Sequence, residues 1–523
     1  MTEKDFIPIT ETPYVSKLAK DYLLGKEIGI NSPLVSNYND IAEKAKSKEF
    51  NAAKRTILVN ALLEQYKKDN VGLNEDSKVY QNIQSLKESK TFTFTTGQQI
   101  HIFLGPLFFI YKIQSLLRHV KNFNKENNEF TAVPVFWMAS EDHDLEEINY
   151  VKLYGETFTW DTKAGNAVGR IFCKGLPELI NKIEERADKT EENRNLYDLF
   201  RKHYLSNRTL AAATRSLLHE IFEEDGLIIL DPDDKTLKQS FNEVAQKEIS
   251  EQLVFNDYNE QNAGLKKAGY EARVNAQETN YFWLENNKRV KLKIKDNKII
   301  KNDSGDELKL ETLFGEIDKL SPNVITRPIY QETVLPNLLY IGGSAEIEYW
   351  LPLQKAFKKL GIQFPALLQR DSVISVTKKN IESIEKSGFQ WNQLFESEII
   401  LAENFNKNTD LNNSEASKKV DSIRVELENL SHELKEKEIK SGIIFKEIHE
   451  VQKGLLKLSN LIKDEELKLK KSNPVLDRVL KIKEKVFEKR QERELYVVGN
   501  PTCFTQNNIN TDEIKAVLKL QIE

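Results

Sequence analysis

A repeated juxtaposition constrains this chain most: short apolar runs that stop abruptly in polar, chemically capable residues. Its strongest instance is residues 131–149, TAVPVFWMASEDHDLEEIN, where a nearly unbroken apolar stretch meets five carboxylates and one histidine, Glu141, Asp142, Asp144, Glu146 and Glu147 around His143. Such a run suits a strand buried on both faces, which is the habit of parallel sheets covered by helices. Upstream, TFTFTTGQQ (91–99) alternates threonine and phenylalanine as far as Gly97. PLFFIYKIQSLLRHV (106–120) has helical spacing with its proline in the first turn, and a polar connector then leads into AVPVFWMAS. Strand, helix and strand in this order form a βαβ unit. DGLIILDPDD (225–234), PNLLYIGGSAEIEYWLPLQKAF (336–357) and FPALLQRDS (364–372) repeat the pattern. The expected fold class is α/β, with a parallel sheet over 91–375 and its site at the carboxyl ends of the strands.

Around this core the texture changes. Residues 1–90 show apolar positions at three- and four-residue intervals and read as a helical segment packing on the core. YFWLENNKRVKLKIKDNKIIKND (281–303) alternates with period two, with turn signals at Glu285–Lys288 and Asp296–Asn297; it predicts a small antiparallel insertion within about 265–315. From 376 to 523 a helical region is expected. Val420, Ile423, Leu427, Leu430 and Leu434, and then Ile448, Val451, Leu455, Leu458 and Ile462, carry the 3-4 spacing of a coiled coil over about 415–470. Asn473-Pro474 ends that run before a last helix at about 475–493. The formal charge of −5 gives no basic signal for nucleic acid, no apolar run approaches a membrane span, and the N-terminus lacks a secretory pattern. With only Cys173 and Cys503 and no CxxC, neither a disulfide framework nor a zinc site is expected, and the cytoplasm is the natural compartment.

The acidic cluster Glu141, Asp142, Asp144 and Glu147, with Asn149 just beyond, suits the ammonium of an amino substrate or a divalent cation, and His143 suits proton transfer near neutral pH. The alternative is an acidic first turn of the next helix. One histidine without an HExxH pattern predicts no metal. Thr96, Gly97, Gln98 and Gln99 form the turn expected after the first strand, with Tyr111 and Lys112 one helical turn further on; neither GxGxxG nor GxxxxGK[ST] is present. Arg327 and Gln331 stand four apart, Glu346 and Tyr349 share a helix face below Gly342 and Gly343, and Arg370 follows a strand of its own.

Taken together, TTGQQ…GPLFFIYK, VPVFWMASEDHDLEEIN, GLIILDPDD, SPNVITRPIYQETVLPNLLYIGGSAEIEYWLPL and the QER near the C-terminus resemble the BshC family along essentially the whole chain. Those proteins are the cysteine-adding enzymes of bacillithiol biosynthesis. The resemblance implies a Rossmann-like core, a coiled coil that makes a homodimer, and joining of L-cysteine to glucosaminyl-malate. It also brings ATP or ADP as the nucleotide, with Gln491, Glu492 and Arg493 assigned to its binding, and leaves open whether ATP is consumed. The HIGH and KMSKS signatures of class I aminoacyl-tRNA synthetases are absent, and Phe487-Glu488 stands where the family has Phe-Pro.

Amide formation needs an activated carboxyl, a deprotonated amine and a site that holds both. On this reading Glu141, Asp142 and Asp144 hold an ammonium, His143 is the base, and the Thr96–Gln99 turn with the following helix holds phosphate. Lys112, Arg327 or Arg370 hold the malate carboxylates. The competing readings are a nucleotidyltransferase or sugar-nucleotide enzyme on the same sheet, and a non-catalytic coiled-coil scaffold.

Overall fold

The computed structural model describes residues 8–491, apart from residues 13–14, 33, 36, 107, 154–155, 164–166, 188, 286–287, 297, 373, 409–414, 437–441 and 471–473, together with 501–504. Helices α1 (Lys17–Leu23), α2 (Tyr38–Ser47), α3 (Ala52–Lys68) and α4 (Lys78–Ser85) come first. Ser16, Asn37, Asn51 and Ser77 precede them, and each side chain accepts a backbone N–H from the first turn, which fixes where the helix starts. The Phe/Thr alternation then forms β1 (Thr91–Gln98), α5 (Phe108–Glu126) carries the chain back, and β2 (Thr131–Met138) lies parallel to β1 along its whole length. One helical turn, α6 (Leu145–Ile148), and an antiparallel hairpin of β3 (Tyr150–Leu153) and β4 (Glu156–Thr159) follow. Helices α7 (Leu176–Glu184), α8 (Glu191–His203) and α9 (Leu210–Phe222) lead to β5 (Ile228–Leu230), and α10 (Lys235–Glu251) and α11 (Leu253–Lys267) lead away from it.

The insertion is a four-stranded antiparallel sheet in the order β8-β7-β6-β9. Its strands are β6 (Tyr281–Glu285), β7 (Lys288–Lys295), β8 (Lys298–Lys301) and, beyond α12 (Leu310–Gly315), β9 (Leu320–Pro322). The chain then enters α13 (Arg327–Val334), β10 (Asn337–Gly342), α14 (Ser344–Trp350), α15 (Gln354–Leu360) and β11 (Ala366–Gln369). The central sheet has the order β11-β10-β1-β2-β5, all parallel. The winding reverses at β1: later strands add first on one side of it and then on the other, which opens a crevice at the carboxyl ends. Phe92, Phe94, Phe136 and Ile341 enter the core on one face, and Val133, Val135, Trp137 and Tyr340 the core on the other, so both faces are buried.

Three boundaries differ from the sequence expectation. Thr96, Gly97 and Gln98 belong to β1 itself, because β2 pairs with it as far as Gln98. Pro106 lies outside α5, which begins at Phe108. The insertion extends to β9, since the other edge of β6 pairs with it, Tyr281, Phe282 and Trp283 lying opposite Pro322, Ser321 and Leu320.

The chain divides into two compact units, the first reaching Ile374 and the second covering Ser375–Gln491. The second is helical: α16 (Lys378–Lys386), α17 (Glu398–Asn408), α18 (Glu415–Glu436), α19 (Gly442–Lys470) and α20 (Pro474–Gln491). Helices α18 and α19 contact one another, while Ile384, Leu394, Leu401, Leu476 and Val479 are buried within the unit. Among the described residues no helix is long and apolar enough to cross a membrane.

Candidate active site

A cavity of about 910 Å³ opens at the carboxyl ends of the central strands, and every strand of that sheet delivers residues to it. Gly97 and Gln99 come from the end of β1, Glu141 to Asp144 from beyond β2, Pro232 from beyond β5, Gly343 and Glu346 from beyond β10, and Arg370 from beyond β11. The insertion closes one side with Phe282 and Arg289, and Arg327 of α13 completes the wall.

The acidic stretch divides in two. Glu141 is buried and paired at 2.5 Å with Lys238 of α10, which also sits 3.5 Å from Asp233. Burial pushes the Glu141 carboxyl up and Lys238 opposes it, so this pair holds α10 against the end of β2. Asp142 stays on the cavity wall. Gln99 Nε2 donates to its Oδ2 and to Glu147 Oε2, each at 2.8 Å, and the His143 backbone N–H donates to its Oδ1 at 2.8 Å. Burial works against the charge of Asp142, but the backbone N–H of His143, the Gln99 amide and the nearby Arg289 outweigh it and hold its carboxyl below the usual range. Asp144 and Glu147 are exposed at the rim. His143 packs against Phe282, ring centroids 5.3 Å apart, and Arg289 Nη1 lies 3.0 Å from its Nδ1. Asp142, His143 and Asp144 bring ligand-type atoms within 4.8 Å of one another, and Arg289 is the cation that stands against the first two.

The opposite wall is cationic. Lys112, almost fully buried, donates to Gly97 O at 2.5 Å, to Gln98 Oε1 at 3.3 Å and to Glu346 Oε2 at 2.5 Å. Glu346 also receives the Gly343 N–H at 2.7 Å and the Tyr340 hydroxyl at 2.5 Å, and these donors keep it ionised against burial. An anion from the protein itself therefore occupies the amino end of α14. Gly342 makes this possible, because a Cβ there would lie 2.9 Å from Glu346 Cβ. Arg327 lies over the Tyr340 and Trp350 rings, donates to Gln331 Oε1 at 2.9 Å and reaches the Tyr349 hydroxyl at 3.3 Å. Arg370 lies over Phe108 and donates to Asp371 O at 2.9 Å. Arg273, more than half exposed, completes the group near the mouth.

Of the residues singled out in the sequence, Gly97, Gln98, Gln99, Lys112, Arg327, Gly343, Glu346, Tyr349 and Arg370 line the same cavity as Glu141, Asp142, His143, Asp144 and Glu147. Thr96, Tyr111, Asn149, Gln331 and Gly342 do not. The Thr96 hydroxyl is spent on Ile341 O, Asn149 anchors Trp160, and Gln331 is buried behind Arg327. Tyr111 faces the core because a helix turns about 100° per residue, which aims it away from Lys112. The turn Thr96–Gln99 is no phosphate loop, since strand pairing holds most of it, and α5 begins only at Phe108. Gln491 ends α20, while Glu492 and Arg493 lie outside the described residues. Sequence reasoning missed Arg289, Phe282 and Arg273. The only available signal for Arg289 was one arginine in a strand otherwise rich in lysine.

Residues 3–371 match the family model described as bacillithiol biosynthesis BshC, N-terminal Rossmann-like domain. A protein of Flavobacterium johnsoniae named "Putative cysteine ligase BshC" is 37% identical over 400 residues, 75% of this chain and 74% of its own length. Proteins of the same name from Flavobacterium psychrophilum and Cytophaga hutchinsonii are 36% and 34% identical, each over 406 residues and 76% of this chain, covering 75% and 74% of their own lengths.

Proposed function

The chain belongs to the BshC family of bacillithiol biosynthesis, and on that premise we propose that it is a ligase joining the carboxyl of L-cysteine to the amine of glucosaminyl-malate, giving bacillithiol. The observation that carries this reading is the convergence of all five strand ends on one cavity with walls of opposite charge. A two-substrate condensation between an amine and an acid needs that division. Asp142, Asp144 and Glu147 form the wall that suits an ammonium, and Arg273, Arg327 and Arg370 the wall that suits carboxylates or phosphate. Glu141 and Lys112 are taken out of substrate binding by Lys238 and Glu346.

A carboxylate does not condense with an amine unaided. A nucleoside triphosphate would supply the activation, and with Glu346 at the amino end of α14, Arg327 and Arg370 are the residues to hold its phosphates. The amine nitrogen then attacks the activated carbon, the bond from that carbon to its leaving oxygen breaks as the C–N bond forms, and the amine proton passes to a carboxylate of the acidic wall. We place this reaction in the cytoplasm, where the thiol of the product stays reduced.

Mass spectrometry of purified protein given cysteine and glucosaminyl-malate, with and without ATP and Mg²⁺, tests the reading. Bacillithiol is expected only when nucleotide is present. Its absence under every condition overturns the ligase reading, and its formation without nucleotide overturns the activation step alone.

A further inference from the structure

His143 invites the role of base, but its surroundings argue for another. Arg289 Nη1 lies 3.0 Å from His143 Nδ1, and a guanidinium has only donors. For that contact to be a hydrogen bond, Nδ1 must hold a lone pair, and in a neutral ring the proton then sits on Nε2. The rival arrangement, an Nδ1–H donated to Asp142, is poorly placed: Asp142 Oδ1 is 3.6 Å from Nδ1, beyond hydrogen-bond range, and already receives the His143 backbone N–H at 2.8 Å.

Arg289 is not a surface side chain that happens to touch the ring. Its side chain is 7% exposed. Nε donates to Ser321 Oγ at 3.0 Å, Nη2 donates to Pro322 O at 2.8 Å, and the guanidinium lies 4.1 Å above the centroid of the Phe282 ring. Three strands of the insertion thus fix it, since Phe282 is in β6, Arg289 in β7, and Ser321 and Pro322 in β9. To swing away from His143 it would have to give up two hydrogen bonds to β9 and its stacking on Phe282 of β6. On the other side of the ring, Nε2 makes no hydrogen bond among the described residues; Asp144 Oδ1 is 3.8 Å away.

We propose that Arg289 is a positioning residue, which holds His143 as a neutral ring with its proton on Nε2, so that His143 presents a hydrogen-bond donor to the cavity and not a base. The donor suits an oxygen that gains negative charge as the amide forms, or a substrate carboxylate. The amine proton then leaves to a carboxylate of the acidic wall and never to His143. This makes the antiparallel insertion part of the catalytic apparatus. The inference rests on the ligase reading for the reaction it serves, but not for the proton it assigns.

The test uses the full chain labelled with ¹⁵N-histidine, at pH 8, with His143→Gln to identify the His143 signals. Long-range ¹H–¹⁵N spectra are expected to show one protonated nitrogen, Nε2, in the unliganded protein. In Arg289→Gln, with the remaining histidine signals unmoved, a mixture of tautomers is expected, and Arg289→Lys is expected to restore part of the Nε2–H population. Turnover in Arg289→Gln should fall about ten- to a hundredfold in kcat, with KM for cysteine changed less than about twofold, and recover partly in Arg289→Lys. A proton on Nδ1 in the wild type, or an unchanged tautomer in Arg289→Gln, overturns the inference even if bacillithiol forms. The predicted tautomer without bacillithiol formation overturns the ligase reading and leaves the assignment of Arg289 standing.

Discussion

Lys112 lines the cavity almost fully buried, with its protons committed to Gly97 O, Gln98 Oε1 and Glu346 Oε2. Burial lowers its affinity for a proton and Glu346 opposes that fall, so the two charges depend on each other. Removing one partner of such a pair strands the other in a poorly solvated site, at a cost of about 3–5 kcal/mol. Lys112→Met is therefore expected to lose stability of that order in chemical denaturation, and Lys112→Met with Glu346→Gln to recover most of it. A single variant as stable as the wild type would return Lys112 to the candidates for substrate binding. The sequence marks both side chains as charged and near one another in the fold order, but it cannot say that they satisfy each other. That depends on β10 lying beside β1, which brings residues 112 and 346 together across 234 positions.

At the scale of elements, helices α18 and α19 show what periodicity does and does not convey. Both were expected from their 3-4 spacing, and the two seven-residue rows within each spacing fare differently. Val420 and Ile448 are buried, and Leu427, Leu434, Leu455 and Ile462 are half-buried. The second row, Ile423, Leu430, Val451 and Leu458, is 44%, 43%, 48% and 45% exposed. An apolar row left uncovered on both helices predicts self-association, the homodimer expected of the coiled coil. Sedimentation velocity should find a dimer in the wild type and a monomer in Leu430→Lys with Val451→Lys. A monomeric wild type at micromolar concentration, or a variant that still dimerises, would remove these helices from the interface. Helix spacing specifies which side chains share a face, whereas what covers that face is set by contacts that leave no trace in the spacing.

Across the whole molecule, two compact units with separate cores predict two unfolding events. Differential scanning calorimetry should resolve two transitions. Leu476→Ala, which removes a fully buried side chain from α20, should lower one of them through a loss of about 2–5 kcal/mol and leave the other in place. A single transition shifted as a whole would mean that the units unfold together. The sequence alone determined a good deal of this architecture. Apolar runs ended by polar clusters set the strands and their helices, and because parallel strands present their sites at one end, most of the cavity residues were already marked. The tertiary structure decided which charges remain for a ligand. Lys238 and Glu346 answer Glu141 and Lys112 from remote positions, and the insertion supplies Arg289, some 146 residues from His143. Local pattern reflects backbone geometry and burial, which neighbouring residues enforce, but the pairing of charges is a property of contacts between segments, and only the assembled fold brings those segments together.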